Sequence, residues 1–274
     1  MKKILFILFA FALVVSCQKN GGEDAAGTSV VTYTVEAPVE FEIKSSASGE
    51  GEKVNALWYG VYHKKSEGHF EYMNDMSAYV QIGDATKKIS VPIVLFKDQE
   101  YKIIFVAQHI ETVASADGLS NNCYTYIINE NGLMSFNPKA QVKHGEEMDA
   151  FVYWEETGVI KNDYKKEITL TRPVAQINIS TSAAKKASKI DVKVSGTAKS
   201  YNVFEKTYSA DKTQVSVKGL ACSGSQLTTL YILPSGNYVD LDMTLHYSDN
   251  TTKTLAVPHV EVAPNFKTNV SGNI

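Results

Sequence analysis

The chain has 274 residues, of which 27 are basic and 30 are acidic, and its net charge is −3. This length fits one large domain or two ordinary ones. The mild acidity argues against nucleic acid or an anionic membrane face as a partner. Arg172 is the single arginine and the other 26 basic residues are lysines, which excludes a binding site built from several arginine forks.

The first 17 residues have the pattern of a bacterial lipoprotein signal. Two lysines precede an apolar run over residues 4–15, and residues 14–17, Val-Val-Ser-Cys, match the lipobox, in which a small residue precedes the cysteine to be acylated. The run is too short to cross ~30 Å of hydrocarbon as a helix. The pattern predicts a signal peptide over residues 1–16 and a lipid on Cys17 that holds the mature chain at a membrane. An ordinary signal peptide with an incidental cysteine is the alternative.

The next segments are a tether and a first strand. Residues 17–29 are small, polar and rich in glycine, which predicts a flexible tether. From Val30 onward apolar and polar residues alternate, which predicts a half-buried strand over residues 30–44. Its core-facing residues are predicted to be Val31, Tyr33, Val35, Val39, Phe41 and Ile43.

Short strands separated by turn residues continue to the C-terminus. The pattern predicts them over residues 57–62, 88–91, 101–108, 148–155, 167–170, 174–179, 190–194, 214–217, 228–233, 238–247 and 253–257. The last two are joined by a hairpin turn at residues 248–251. Only residues 110–122 and 182–188 favour a helical turn or a short helix. This sequence of elements indicates an all-β fold of antiparallel sandwiches.

Motifs for catalysis or metal binding are missing from the sequence. The six histidines have no close ligand spacing, and neither a nucleophile elbow nor a phosphate-binding glycine loop occurs. We therefore predict no enzymatic activity, no cofactor and no metal. Cys123 and Cys222 are predicted to be separate thiols, with a disulfide as the alternative in an exported chain.

Acidic residues cluster on both sides of an apolar run at residues 151–154. They occupy positions 146, 147 and 149 before the run and Glu155 and Glu156 after it. A glycosidase needs two carboxylates in one cleft. Because neighbouring strand residues point to opposite faces, Glu155 and Glu156 cannot both line one cleft. A solvated surface is predicted for these carboxylates.

Aromatic residues are abundant, with 15 tyrosines and two tryptophans. Planar rings can stack on sugars, so Trp58 with Tyr59, or Tyr72, could form a platform for a glycan. Tyrosine is also a favoured strand residue, with an apolar body and a polar tip, so packing within sheets is the alternative.

Two segments resemble a known family. Residues 170–179, Leu-Thr-Arg-Pro-Val-Ala-Gln-Ile-Asn-Ile, resemble the strand shared by the fimbrillin-like lipoproteins of Bacteroidetes, the type V pilin superfamily. Residues 262–274 resemble the closing strand of that family, and residues 231–234 are similar to one of its strand ends. The resemblance implies two transthyretin-like β-sandwich domains in tandem, placed at residues 30–172 and 173–274.

The resemblance also implies a role. Members of the family are surface lipoproteins of the outer membrane that assemble by strand exchange, in which a strand from one subunit fills a groove in another. Residues 30–44 are the candidate exchangeable strand. The best-known stalk pilins of the family are cut after their first strand by an arginine-specific protease. Because no arginine precedes Arg172 in this chain, that cut cannot occur here, and Lys44 is the candidate cleavage position for another enzyme.

The end of the chain shows no obvious extra strand to donate. An anchor or accessory fimbrial subunit is therefore expected, with sister subunits, and a host or glycan ligand, as possible partners. A glycan-binding outer-membrane lipoprotein of a polysaccharide uptake system is the rival function.

Overall fold

The computed structural model describes residues 27–36, 53–66, 68–82, 88–110, 124–138, 144–183 and 186–273. Within these ranges, strands and the turns between them make up nearly the whole chain, and a single 3₁₀ turn, Glu146–Met148, is the only helical element. The all-β prediction is confirmed.

Two facing sheets form the first half of the chain. In the three-stranded sheet β1 lies between β4 and β9, and the four-stranded sheet has the order β3-β2-β5-β8. The bounds are β1 Thr28–Glu36, β2 Ala56–Ser66, β3 His69–Gln81, β4 Lys88–Phe96, β5 Glu100–Gln108, β8 Ala150–Val159 and β9 Tyr164–Thr169. Alternate residues of both sheets fill the space between them, as the period of a half-buried strand requires.

The second half repeats this arrangement. Here β10 lies between β15 and β18, and the other sheet has the order β14-β11-β16-β17. The bounds are β10 Ala175–Thr181, β11 Lys189–Ala198, β14 Lys212–Ala221, β15 Gln226–Ile232, β16 Tyr238–His246, β17 Thr252–Glu261 and β18 Lys267–Gly272. If the seven sandwich strands of each half are numbered from 1 to 7 in chain order, the two sheets of both halves have the strand orders 4-1-7 and 3-2-5-6. The two sandwiches are therefore structural repeats of each other.

A third sheet joins the two sandwiches. Each sandwich has two extra short strands, which pair across the halves in the order β13-β12-β7-β6. Their bounds are β6 Tyr126–Ile128, β7 Leu133–Phe136, β12 Ser200–Asn202 and β13 Thr207–Tyr208. Buried residues of both halves, such as Trp58, Tyr126, Tyr201 and Tyr231, pack in one cluster beside this sheet. The sandwiches thus share backbone hydrogen bonds and a core.

The hairpin predicted near the end of the chain is confirmed. β16 and β17 pair in antiparallel fashion from His246 and Thr252 back to Tyr238 and Glu261. Asn250 in the turn has a positive φ of 64°, a conformation that asparagine tolerates better than most residues. The turn residues and the alternation therefore agree in fixing this register.

Some predictions are wrong in detail. β3 was not predicted, and neither were β6, β7, β12 and β13. β1 begins at Thr28, so the last residues assigned to the tether belong to the strand, and Ser29 is buried. The described residues of the segment 182–188 form no helix.

Other predictions fall outside the described residues. They are the signal peptide and Cys17, the strand continuation with Val39, Phe41, Ile43 and Lys44, the helical turn at 111–122, and Cys123. The domain bounds at residues 172 and 173 stay a prediction, although β9 ends at Thr169 and β10 begins at Ala175.

Candidate functional site: the groove that holds the first strand

β1 occupies the centre of its sheet. It pairs antiparallel with β4, from Thr28 opposite Phe96 to Glu36 opposite Lys88, and parallel with β9 from Val31 to Glu36. Both of its edges are therefore hydrogen-bonded to neighbours. The chain on each side of β1, residues 1–26 and 37–52, lies outside the described residues. Without β1, the facing edges of β4 and β9 would border a groove, which we call the β1 groove.

The three predicted core residues of β1 that are described point into this groove. Val31 and Tyr33 are completely buried, and Val35 is 3% exposed. They alternate with Thr32 and Thr34 on the outer face, as the strand period requires. The structure thus brings these residues of the candidate exchangeable strand together in one apolar core.

Tyr33 is the largest of the three, and it reaches across the core. Its ring centroid lies 5.0 Å from that of Phe105 on β5, in the opposite sheet. Its hydroxyl donates a hydrogen bond to Glu155 Oε1 on β8 at 2.7 Å. A side chain of the three-stranded sheet therefore bonds a carboxylate of the four-stranded sheet.

Glu155 is the centre of a polar cluster inside the first sandwich. Its Oε2 accepts a hydrogen bond from the Tyr153 hydroxyl at 3.0 Å and one from the Lys166 ammonium. The Tyr164 hydroxyl lies 3.3 Å from that of Tyr33. Because the single hydroxyl proton of Tyr33 goes to Glu155, Tyr164 must be the donor to Tyr33. We call these residues, Tyr33, Tyr153, Glu155, Tyr164 and Lys166, the Glu155 cluster.

The environment of the cluster changes its acid–base properties. Burial is the largest cause that raises the pKa of Tyr33, and the negative charge of Glu155 raises it further. The hydrogen bond to Glu155 raises the pKa of Lys166. Both shifts hold the phenol and the ammonium as donors at neutral pH. The cluster is therefore a set of fixed donors around one carboxylate.

A second polar cluster lies where the two sandwiches meet. Arg172 binds Asp149 through two hydrogen bonds of 2.7 Å, from Nε to Oδ1 and from Nη2 to Oδ2, and Nη1 bonds Asn265 Oδ1 at 3.3 Å. The guanidinium carbon lies 4.5 Å from the centroid of the Phe151 ring. The two segments that carry the family resemblance, around Arg172 and Asn265, thus meet at one buried ion pair.

These two clusters correct the prediction of solvated carboxylates. Asp149 is completely buried and Glu155 is 8% exposed, whereas Glu156 is exposed. Burial raises the pKa of Asp149 to about 6, against the attraction of Arg172. The prediction is wrong for Asp149 and Glu155 because their partners, Arg172 and Tyr33, are distant in sequence. The opposite orientation of Glu155 and Glu156 is confirmed.

The aromatic residues proposed for glycan binding do not form one platform. Trp58 and Tyr59 point to opposite faces of β2, and Tyr59 packs in the core against Phe105. The Trp58 ring lies over Gly60, where an added Cβ would be 2.3 Å from the ring, so only glycine fits there. Trp58 and Tyr72 instead line an open cleft of about 450 Å³ with Tyr79 and Tyr124, whose rings stack at 4.6 Å.

The remaining candidate groups form no further site among the described residues. No set of three histidine, cysteine or acidic side chains there could hold a metal ion. Cys222 is a partly buried free thiol. His246 on β16 contacts Asp191 at 3.0 Å on the polar face of its hairpin.

The described residues include no helix long and apolar enough to cross a membrane.

The fold is shared with solved structures of candidate adhesion proteins from Bacteroides. A candidate cell adhesion protein from Bacteroides fragilis superposes with a TM-score of 0.52 at 8% identity, over 89% of this chain and 92% of that one. A candidate adhesin from Bacteroides ovatus superposes with a TM-score of 0.50 at 10% identity, over 89% and 87% of the two chains. At these identities the likeness concerns the fold alone.

No curated protein matches the chain in sequence. A family of unknown function, DUF6562, matches it over residues 23–274, which is nearly its whole length. The chain belongs to this family.

Proposed function

We propose that this protein is a non-enzymatic surface lipoprotein that acts in fimbrial assembly or adhesion by β-strand complementation, with the β1 groove as the complementation site. Its place is at the outer membrane, held by lipid on Cys17. It serves as an anchor or accessory subunit, and its partners are sister subunits.

The position of β1 is the observation that carries this proposal. β1 is the first described strand, yet it lies between β4 and β9 instead of at an edge. A strand at the start of the chain can leave without unthreading the rest of the fold. Its removal would expose two sets of backbone hydrogen-bonding groups and the pockets of Val31, Tyr33 and Val35. Such a groove fits one extended strand, because backbone bonds give affinity and alternate side chains set the register.

The fimbrial and adhesive setting is supported by the fold and by the family resemblance. The fold neighbours from Bacteroides fragilis and Bacteroides ovatus are candidate adhesion proteins. Residues 170–179 and 262–274, which carry the resemblance, form β10 and β18, and these strands pair with each other.

Retention of β1 depends on whether the chain is cut after it. No arginine occurs before Arg172, and Arg172 is 4% exposed and held by Asp149. An arginine-specific protease therefore has no accessible site near β1. Without another cut, such as one at Lys44, β1 stays in its own groove and the chain is an anchor or accessory subunit instead of a repeating stalk unit.

The groove can be opened in a nicked chain. Residues 45–52 are replaced by a recognition sequence for a specific protease, and the mature chain carries Cys17→Ser so that it is soluble. After cleavage, β1 is held only by non-covalent contacts. A fluorescent peptide of residues 27–44 is added in excess, and its incorporation is followed by gel filtration. A peptide of the same composition in scrambled order is the control.

We expect the peptide with the native order to replace β1 and the scrambled peptide to remain free. Each of the three buried side chains contributes about 1.5–3 kcal/mol, so exchange will be slow at room temperature and faster in mild denaturant. Equal incorporation of both peptides, or none by a nicked protein that keeps its native circular dichroism spectrum, would overturn the complementation site.

The anchor is tested separately. In the natural host, Cys17→Ala should release the protein from the outer-membrane fraction, and Cys222→Ala, which removes a thiol elsewhere, should not. A Cys17→Ala variant that stays in the membrane after a salt wash would refute the lipid anchor.

Glycan binding is a second candidate function, favoured by the aromatic cleft. Four rings, of Trp58, Tyr72, Tyr79 and Tyr124, line an open cleft of about 450 Å³. Titration with a panel of soluble oligosaccharides should then change the tryptophan fluorescence, and Tyr72→Ala should abolish the response. Tyr238→Ala, at an exposed tyrosine far along the chain, is the control. A panel without any response would leave strand complementation as the function.

A further inference from the structure

We infer that Glu155 makes the β1 groove selective, so that it accepts a strand with a tyrosine at the place of Tyr33, flanked two residues away on each side by small β-branched residues. The inference rests on the proposed strand complementation and specifies its partner. It follows from the hydrogen bonds inside the groove, from the length of the tyrosine side chain and from the sequence of the chain itself.

The two oxygens of Glu155 have different kinds of partners. Oε2 is bonded by Tyr153 on the same strand and by Lys166 on β9, which both stay in place when β1 leaves. Oε1 receives its hydrogen bond, among the described residues, from Tyr33 alone. Departure of β1 thus takes away the donor of one oxygen of a carboxylate that is buried in the folded chain.

The incoming strand has to replace this donor. An apolar residue at the Tyr33 position would bury Oε1 without a partner and would leave the Tyr164 hydroxyl without its acceptor. A buried polar group that loses its partner costs more than the hydrogen bond itself contributes, and hydrogen bonds to charged groups are the strong ones. The groove therefore discriminates against apolar residues at this position, although it is otherwise apolar.

Among the hydroxyl side chains, only that of tyrosine is long enough to reach the carboxylate. Glu155 lies in the four-stranded sheet, and facing sheets of a sandwich are ~10 Å apart. The ring of Tyr33 spans this gap beside Phe105. Serine and threonine are too short, and the place beside Phe105 holds an aromatic ring, so we assign the partner residue as a tyrosine. Val31 and Val35, both buried, define the two small flanking pockets.

The chain itself contains a competing segment. Val39, Phe41 and Ile43 have the same alternation as Val31, Tyr33 and Val35, eight residues later. If that segment entered the groove, Phe41 would take the Tyr33 position and would offer no donor to Glu155. The carboxylate thereby distinguishes between two segments with similar apolar patterns. Apolar contacts alone would distinguish them poorly.

The described part of the second sandwich has no equivalent selector. The core-facing residues of its first strand, β10, are Ala175, Ile177 and Ile179, and all three are buried and apolar. The buried carboxylates of the described residues are Asp149 and Glu155, and Asp149 is paired with Arg172. Gln176 on β10 donates a hydrogen bond to Glu146 Oε1 at 3.2 Å, but Glu146 is only half-buried. Among the described residues, a buried carboxylate that depends on a first strand for a partner is thus specific to the β1 groove.

The test compares peptides in the nicked mature chain, so no protein variant has to fold anew. Peptides of residues 27–44 are prepared with the native sequence, with Tyr33→Phe, and with Thr34→Val as the matched control, which removes a hydroxyl from the outer face. The dissociation constant of each is measured by fluorescence anisotropy. We expect Tyr33→Phe to bind about tenfold more weakly than the native peptide. Thr34→Val should bind within about twofold.

A protein variant completes the test. In Glu155→Met the carboxylate is replaced by an apolar side chain of similar length, and the preference for tyrosine over phenylalanine should vanish or reverse. Equal binding of the native and Tyr33→Phe peptides to the unaltered groove would overturn the selection by Glu155 and leave strand complementation intact. If no peptide binds, strand complementation itself fails, so the two failures are distinguishable.

Discussion

The two sandwiches have one topology and hold their first strands by different means. β10 is held by polar side-chain contacts. Arg172, just before it, is fixed by Asp149. Within β10, Asn178 bonds Asn269 on β18 at 3.1 Å and Thr229 on β15 at 2.9 Å. Apart from its backbone pairing with β4 and β9, β1 is held by apolar pockets, by the hydroxyl of Tyr33 and by a hydrogen bond from Val30 N to Asp163 Oδ1 at 2.9 Å. The same architecture therefore contains a fixed first strand and one that could be exchanged.

The two regions also differ in the partners of their buried carboxylates. In the junction before β10, the Asp149 carboxylate is matched by a guanidinium of the same chain through two hydrogen bonds. In the first sandwich, the Glu155 carboxylate depends partly on β1. The ion pair at the junction stabilises a fixed element, whereas under the proposed strand exchange the Glu155 carboxylate would test the identity of the incoming strand.

The largest effect is expected at the junction. Asp149→Ala leaves the Arg172 guanidinium buried without its counter-charge, and the free energy of unfolding should fall by about 3–5 kcal/mol. Urea denaturation followed by tryptophan fluorescence measures this. Glu71→Ala, which breaks the exposed pair with Lys65 at 3.1 Å, is the control and should change little. If both variants lost the same small amount, the ion pair would not be what fixes β10.

A loss of stability of intermediate size is expected when a core residue of β10 or of β1 is truncated. Ile177→Ala in β10 opens a cavity in the second core and should lower the free energy of unfolding by about 2–5 kcal/mol. Val31→Ala removes two methyl groups and should cost about 2 kcal/mol.

In the nicked chain, the rate of β1 release should respond more to Val31→Ala than to Ile177→Ala, which is the opposite of their order in stability. Val31→Ala should speed the release of β1, measured by exchange with labelled peptide, and Ile177→Ala should leave the release rate unchanged because it lies in the other core. A faster release in Ile177→Ala would mean that the sandwiches do not hold their first strands independently.

The smallest effect is expected at the hydroxyl of Tyr33 in the uncut chain. Tyr33→Phe keeps the ring and removes the donor to Glu155, so the free energy of unfolding should fall by about 1–2 kcal/mol. Tyr238→Phe removes a hydroxyl from a tyrosine that is 56% exposed and should have no measurable effect. Thermal and urea unfolding of both variants give the comparison. A Tyr33→Phe chain as stable as the unaltered one would contradict the role of the hydrogen bond.

The fold class could be predicted because alternation is a local signal. Val31, Tyr33 and Val35, and the β16–β17 hairpin, lie where the period of two placed them. β3 escaped prediction because residues 74–77, between the paired Met73 and Ala78, bulge out of the pairing with β2. The Ser77 hydroxyl closes the gap, since it accepts a hydrogen bond from Val61 N and donates one to Met73 O. The bulge thus interrupts the alternation of inward and outward residues on which the prediction of strands relies.

The polar part of the site could not be predicted in the same way. Glu155 follows an apolar run, which could have indicated burial, but its donor Tyr33 lies 122 residues earlier. The strands β7 and β12, which join the sandwiches, have only four and three residues and pair across the two halves of the chain. Contacts of this kind depend on how whole sheets meet, and no local pattern records them.

The pairing directions of β1 have a mechanical consequence. The segment that would lead to the lipid joins β1 at its N-terminal end, so a pull on that segment acts along the strand axis. Since the ladder hydrogen bonds to β4 and β9 run roughly across the strand, such a pull loads many of them together in shear and does not open them one by one. The strand that we propose to be exchangeable would thus be among the hardest to pull out of the fold by tension.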